Sequence, residues 1–330
     1  MGSLEEGATN VVKTCMGVNS SDRIIIVTDR DTKEIADAIH TIAKSITDSR
    51  VFVLEDYASR PIKELPAEIN KAISTANVTF WIAQSFKGEL EMRSFFRTTA
   101  LKYARHAHMP GVTKTVMEHG MCVDYNLVYK KTMKVYEIIK NVSNIHVQSQ
   151  DGTSVDLKFD KNWKWIPSHG IFHKKGDWGN LPDGEVFTTP NSVKGTIIVS
   201  ELGDWFTKKY GYLNDKISLE IKNSRIDLDN IQCSNTLLKT ELLQYLNTDE
   251  NSNKASEFAI PTNFSLMNLP LIGSMLQDEK ARVHIAFGDP YGTKTNANWK
   301  SRTHVDCILE KCDITADGKK IMKLGELFID

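Results

Sequence analysis

Between Arg23 and Arg105 the chain alternates short apolar runs with longer stretches in which apolar residues recur every three or four positions. RIIIVTD (23–29) reads as a buried strand, and 33–46 carries Ile35, Ala36, Ile39, Ile42, Ala43 and Ile46 on the spacing of one helix face. VFVLED (51–56) predicts a second strand, the segment after Pro61 a second helix, NVTFWIA (77–83) a third strand and 89–105 a third helix. After Asn141 the rhythm changes. NIHVQSQDGTSVDLKFD predicts a hairpin around Asp151-Gly152, and KGTIIVSE (194–201) a strand. KISLEIKNSRID (216–227) predicts a hairpin or meander, and TLLKTELLQYL (236–246) a helix. ARVHIAFG (281–288) and RTHVDCILE (302–310) predict closing strands. The fold class expected is α/β: an N-terminal doubly wound α/β domain over residues 1–125, then a β-rich α+β domain over 126–330, with a soft boundary between about 120 and 145.

A length of 330 residues agrees with two domains. With 41% hydrophobic and 25% charged residues the composition is that of a folded globular chain. Lys plus Arg number 41 against 42 acidic residues, a net charge of −1, which gives nucleic-acid binding no support. Five cysteines without a Cys-x-x-Cys pair fit a reducing compartment. No targeting peptide and no membrane span is expected, so the expected location is cytoplasmic. The α/β half lacks both Gly-x-Gly-x-x-Gly and the phosphate-binding Gly-x-x-x-x-Gly-Lys-Ser/Thr, so it reads as scaffold with no cofactor site.

Ionisable residues inside apolar runs are the chemical signal. His284 lies among Val283, Ile285 and Phe287. His304 and Asp306 flank Val305 and project from the same strand face, where an imidazole and a carboxylate could hold one cation. Glu185 follows a Pro-Asp-Gly turn and heads an apolar pair, and Glu257 directly precedes a short apolar run. Taken singly, each glutamate reads more simply as a solvated element terminus, and His-x-Asp as a hydrogen-bonded polar pair. RHAHMPGVT (105–113) reads as a strand end with solvent-facing histidines and stays outside the site. The segment NWKWIPSHGIFHKKGDW (162–178) suits either a loop lining a pocket or a surface flap. Cys307 and Cys312 read as small buried hydrophobes.

Four segments in order, PDGEVFTTP, SEFAIPTN, VHIAFGDPY and RTHVD, resemble the signature segments of the aminopeptidase T/aminopeptidase S family of metallopeptidases. The resemblance covers the second half. The first half resembles those peptidases only in its alternating pattern, and the chain is shorter than they are. The resemblance implies that Glu185, Glu257, His284, His304 and Asp306 ligate two divalent metal ions (Zn, Co or Mn), with Tyr291 and Glu257 as catalytic residues. Three carboxylates and two imidazoles are too few to saturate two ions, so positions stay open for water and substrate. It further implies a homodimer that removes N-terminal residues from peptide substrates.

The same fold serves the 2,5-dihydroxypyridine dioxygenases, which hold one Fe(II) through two histidines and an aspartate. There the position matching Glu257 is histidine, and those matching Glu185 and His284 are not ligands. The ligand set of this chain sides with the peptidase. The remaining alternative is a non-catalytic relative that keeps the ligands for stability.

Overall fold

The computed structural model describes residues 2–328. The chain divides into two compact units: one runs to Tyr129 and takes in His169–Asp183, and the other holds Lys130–Ser168 and the chain from Gly184 onward.

The first unit is a five-stranded parallel sheet. In spatial order its strands are Asp48–Val53, Arg23–Thr28, Val78–Ile82, Arg105–His108 and Trp178–Asn180. Helix Lys33–Lys44 buries Ile35, Ala36, Ile39 and Ala43, the stripe read from the sequence. The third helix is shorter than expected, spanning Leu90–Ala100. A turn follows it, and Arg105 opens the fourth strand, where its guanidinium bonds Asp22 at 2.7 Å and the carbonyl of Met16 at 2.8 Å.

His106 and His108 on that strand are buried and do not face solvent, which corrects the reading of RHAHM. Nδ1 of His106 lies 3.0 Å from the Thr79 hydroxyl, and burial pushes its pKa down to about 3, so the ring is neutral.

Sheets of this order bind ligands outside the carboxyl ends of the strands where the order reverses. Here that end is filled by protein. The Arg60 guanidinium contacts Asp29 at 2.9 Å, Glu89 at 2.5 and 2.6 Å and the Gln84 carbonyl at 2.8 Å, and the three charged side chains are nearly sealed from solvent.

The second unit has two sheets. Its eight-stranded sheet contains the expected hairpin, Asn144–Gln148 against Ser154–Lys158, and the turn from Ile217–Lys222 into Arg225–Ile226. The six-stranded sheet runs, in order, Glu201–Leu202, His304–Leu309, Val283–Gly288, Ala255–Pro261, Glu185–Thr188 and Ile166–Ser168. One hydrophobic cluster draws on both sheets and on helix Thr236–Leu246, with Val186, Phe258, Ile260, Ile285, Phe287, Val305 and Cys307 from the second sheet. Residues 162–178 are therefore neither one loop nor one flap. Their two ends enter different sheets through three-residue strands, too short to show a period.

No helix among the described residues is long and apolar enough to cross a membrane. All five cysteines are free, and Cys307 and Cys312 are buried as expected.

Candidate metal centre

Alternation in the six-stranded sheet separates core from chemistry. The cross-strand partners are Glu185 with Pro261, Ala259 with His284, Glu257 with Ala286, Ala286 with Asp306, and Gly288 with His304. Residues directly opposite share a face, so all five sequence-derived ligands point one way while Phe258, Ile260, Ile285, Phe287, Val305 and Cys307 point the other. The ligand face is cleared by small neighbours. Ala259, Ala286 and Gly288 stand between the ionisable side chains, and a Cβ on Gly288 (φ +117°) would fall 2.2 Å from the Thr303 carbonyl oxygen. The Glu257 strand carries a bulge between Ala255 and Glu257, which puts Ala255 in the core and Glu257 on the ligand face.

The structure brings Glu185, Glu257 and His284 into one group and Glu257, His304 and Asp306 into a second, with Glu257 common to both. Nε2 of His284 lies 3.6 Å from Glu185 Oε2, 3.8 Å from Glu257 Oε1 and 3.9 Å from Asp306 Oδ1. Nε2 of His304 lies 3.6 Å from Glu257 Oε2 and 3.3 Å from Asp306 Oδ1. Most of these gaps are too long for hydrogen bonds. Two donor atoms bound to one tetrahedral ion at about 2.0–2.2 Å stand about 3.3–3.6 Å from each other, so the spacing fits shared ions. A buried polar atom points the same way: Glu185 Oε2 has no hydrogen-bond partner.

The imidazoles are oriented from behind. His304 Nδ1 is 2.8 Å from the Asp289 carbonyl oxygen, which fixes Nδ1 as the donor and leaves Nε2 for an ion. The backbone N–H of His304 donates to the Tyr245 hydroxyl at 3.1 Å, and that hydroxyl donates to Asp204 at 2.7 Å. His284 Nδ1 faces the Arg282 carbonyl at 3.5 Å. The Tyr291 ring packs tilted against the His304 ring, with centroids 4.6 Å apart, on a left-handed backbone (φ 48°), a conformation that a bulky residue seldom holds without cause.

Electrostatics follow from burial and crowding. Burial pushes the Glu185 carboxyl up to about 8 against the pull of Lys280 and His284. Burial opposes charge on His284, but Glu257, Glu185 and Asp306 raise its pKa to about 9. His304 is raised well above the ordinary histidine value in the same way, by Tyr291 and Asp306 against burial. Asp306 is buried too, and the two imidazoles with Lys280 hold it well below the usual carboxylate range.

Two neighbours escaped the sequence reading. Lys280 is buried, with Nζ 2.5 Å from Glu185 Oε1 and 2.9 Å from Glu279 Oε1. Both follow the short helix Met275–Asp278, in a DEKAR run that resembles an ordinary solvated turn.

Fold and donor set together define an α/β protein with the ligand chemistry of a divalent-metal centre. Residues 124–326, more than half of the chain and including all six site residues, match the family described as thermophilic metalloprotease (M29), and the chain belongs to that family. Among characterised proteins, 2,5-dihydroxypyridine 5,6-dioxygenase of Pseudomonas putida is 23% identical over 205 residues, which are 60% of this chain and 58% of that enzyme.

Two solved structures share the fold. AmpT from Thermus thermophilus matches with a TM-score of 0.74 at 15% identity, over 99% of both chains. The dioxygenase from Pseudomonas putida matches with a TM-score of 0.72 at 16% identity, over 99% of this chain and 97% of that one. The likeness of fold thus extends to the first half, where the sequence showed only the alternating pattern.

Proposed function

We propose that this chain is a metal-dependent aminopeptidase, and the two donor groups sharing Glu257 carry that reading. Glu257, His304 and Asp306 hold one divalent ion, Zn, Co or Mn, and Glu185, Glu257 and His284 hold a second. When bound, the two ions supply Lewis-acid activation of a water molecule and of the scissile carbonyl. The residues of the chain do the rest. Asp289 and Tyr245 hold His304 so that its Nε2 faces the Glu257 and Asp306 carboxylates. The Tyr291 hydroxyl stabilises charge that develops on the carbonyl oxygen. The neutral α-amine of a peptide N-terminus would complete a position that the five protein ligands leave open, which would make the enzyme an exopeptidase. Glu257 is the residue on which both metal positions depend. We place the enzyme in the cytoplasm as a homodimer.

The second reading is a mononuclear Fe(II) ring-cleaving dioxygenase, favoured by the sequence match to 2,5-dihydroxypyridine 5,6-dioxygenase. The carboxylate of Glu257, within 3.6–3.8 Å of both imidazoles, argues for the peptidase, because the iron triad uses two histidines and one carboxylate.

Elemental analysis of protein purified without added metal, followed by assays, separates the readings. Two equivalents of Zn, Co or Mn with chelator-sensitive release of N-terminal residues is the expected result. One iron with oxygen uptake on dihydroxypyridines would overturn it, and inactivity in both assays would leave a non-catalytic relative.

A further inference from the structure

Lysine is seldom buried, and a buried ammonium must be matched by acceptors. Lys280 meets this condition inside the metal centre: its Nζ grips Glu185 Oε1 at 2.5 Å and Glu279 Oε1 at 2.9 Å. The backbone that carries it is tied down on both sides. Asp278 accepts N–H groups from Ile272, Gly273 and Ser274. The Met275 N–H donates to the Thr207 hydroxyl, which donates to Glu201 Oε1 at 2.8 Å. Arg282, two residues beyond, donates to the carbonyls of Met267 and Leu269. Lys280 is thus presented by a fixed segment, and with Oε1 of Glu185 engaged, only Oε2 is turned toward His284.

The two donor groups are not equivalent in this respect. An ion held by Glu185, Glu257 and His284 would sit across a single carboxylate from an ammonium. Lys280 holds Glu185, a ligand of the first group alone, in a 2.5 Å ion pair, and its pull on Asp306 in the second group is weaker than that of His304 and His284. Like charges repel strongly in a buried, poorly screened setting.

We propose that Lys280 is a positioning residue that makes the two metal positions unequal, so that Glu257, His304 and Asp306 fill first and the Glu185 side fills weakly. This rests on the metal-centre reading above. Lys280 touches no substrate in this scheme; it acts through Glu185.

Titration of the metal-free full-length chain with cobalt(II), followed by calorimetry and by the visible absorption of the bound ion, tests it. The expected wild-type result is two steps, the second at least about tenfold weaker. K280M should tighten the second step by about tenfold or more and move the first by less than about threefold, while K280R keeps the weak second step. Should K280M fail to fold, E279Q decides, because the ammonium then has less compensation and the second step weakens further. Two equal steps in the wild type, an unchanged or weaker second step in K280M, or a tighter one in E279Q would overturn the proposal. Absence of cobalt binding at both groups would instead overturn the metal-centre reading on which it rests.

Discussion

Arg60, Asp29 and Glu89 are buried together in the first unit, as Glu185, Glu257, His284 and Asp306 are in the second, and the two groups differ in how their polar atoms are satisfied. In the first, Asp29 Oδ1 accepts from Thr32 N–H and hydroxyl, and Oδ2 from Gln84 N–H and Arg60. Glu89 Oε1 accepts from Arg60 and Ile62 N–H, and Oε2 from Arg60 again. In the second, Glu185 Oε2 is sealed without a donor, and His284 stands 3.6–3.9 Å from three carboxylates. A satisfied buried network holds a fold together, whereas one whose spacing suits an ion in place of hydrogen bonds is arranged for a ligand.

The strongest way to sharpen that contrast is E257Q. It should weaken metal binding by more than about 10³-fold and abolish peptide hydrolysis, since both groups lose a ligand. The metal-free variant should nevertheless melt close to metal-free wild type, because relief of crowding among the carboxylates offsets the partner lost by the charged His284. If it melts far lower, the second cluster is as structural as the first.

R60M is the converse. It strands two buried carboxylates and should cost about 3–5 kcal/mol in urea unfolding, with cobalt affinity of the folded protein unchanged. A loss below about 1 kcal/mol would break the comparison from the other side.

The units should also answer pH with opposite signs. His106 titrates near 6.5 when unfolded and about 3 when folded, so the unfolded chain binds the extra proton. Its contribution is complete above about pH 6.5 and is lost toward about 3, at up to about 1.4 kcal/mol per pH unit, and H106F should flatten this acid arm in melts. His284 is raised to about 9, so in metal-free protein its contribution is present below about pH 6.5 and is lost as pH rises through about 9. The smallest effect belongs to Y245F. It removes the acceptor of the His304 N–H and should cost about 1 kcal/mol of stability, with cobalt affinity falling about tenfold or less.

The sequence made the ligand strands legible because each ionisable residue interrupts an apolar alternation, and the sheet order then fixes which side chains meet. His304 and Asp306 needed only period-two spacing. Glu185 and Glu257 read singly as solvated termini, and only the sheet shows that strands far apart in the chain bury them against each other. Lys280 carried no periodic signal, since its burial depends on how a short helix is anchored to distant residues. His106 was read as exposed because RHAHMPGVT reads as a strand end running into a Pro-Gly turn, with no carboxylate close by. It is buried because the strand lies inside the parallel sheet, flanked on both sides. The strand Trp178–Asn180 was missed because three residues show no repeat and its partner strand lies some seventy positions earlier.

The donor atoms come from four neighbouring strands, and the positions that supply them run from 185 to 306. An unfolded chain therefore offers a cation little more than the adjacent His304 and Asp306. An ion would have almost nothing to organise early in folding and would find its full donor set only once these four strands had paired. Whatever affinity the finished centre has is then expressed almost wholly as resistance of this sheet to opening, rising with the logarithm of free metal concentration.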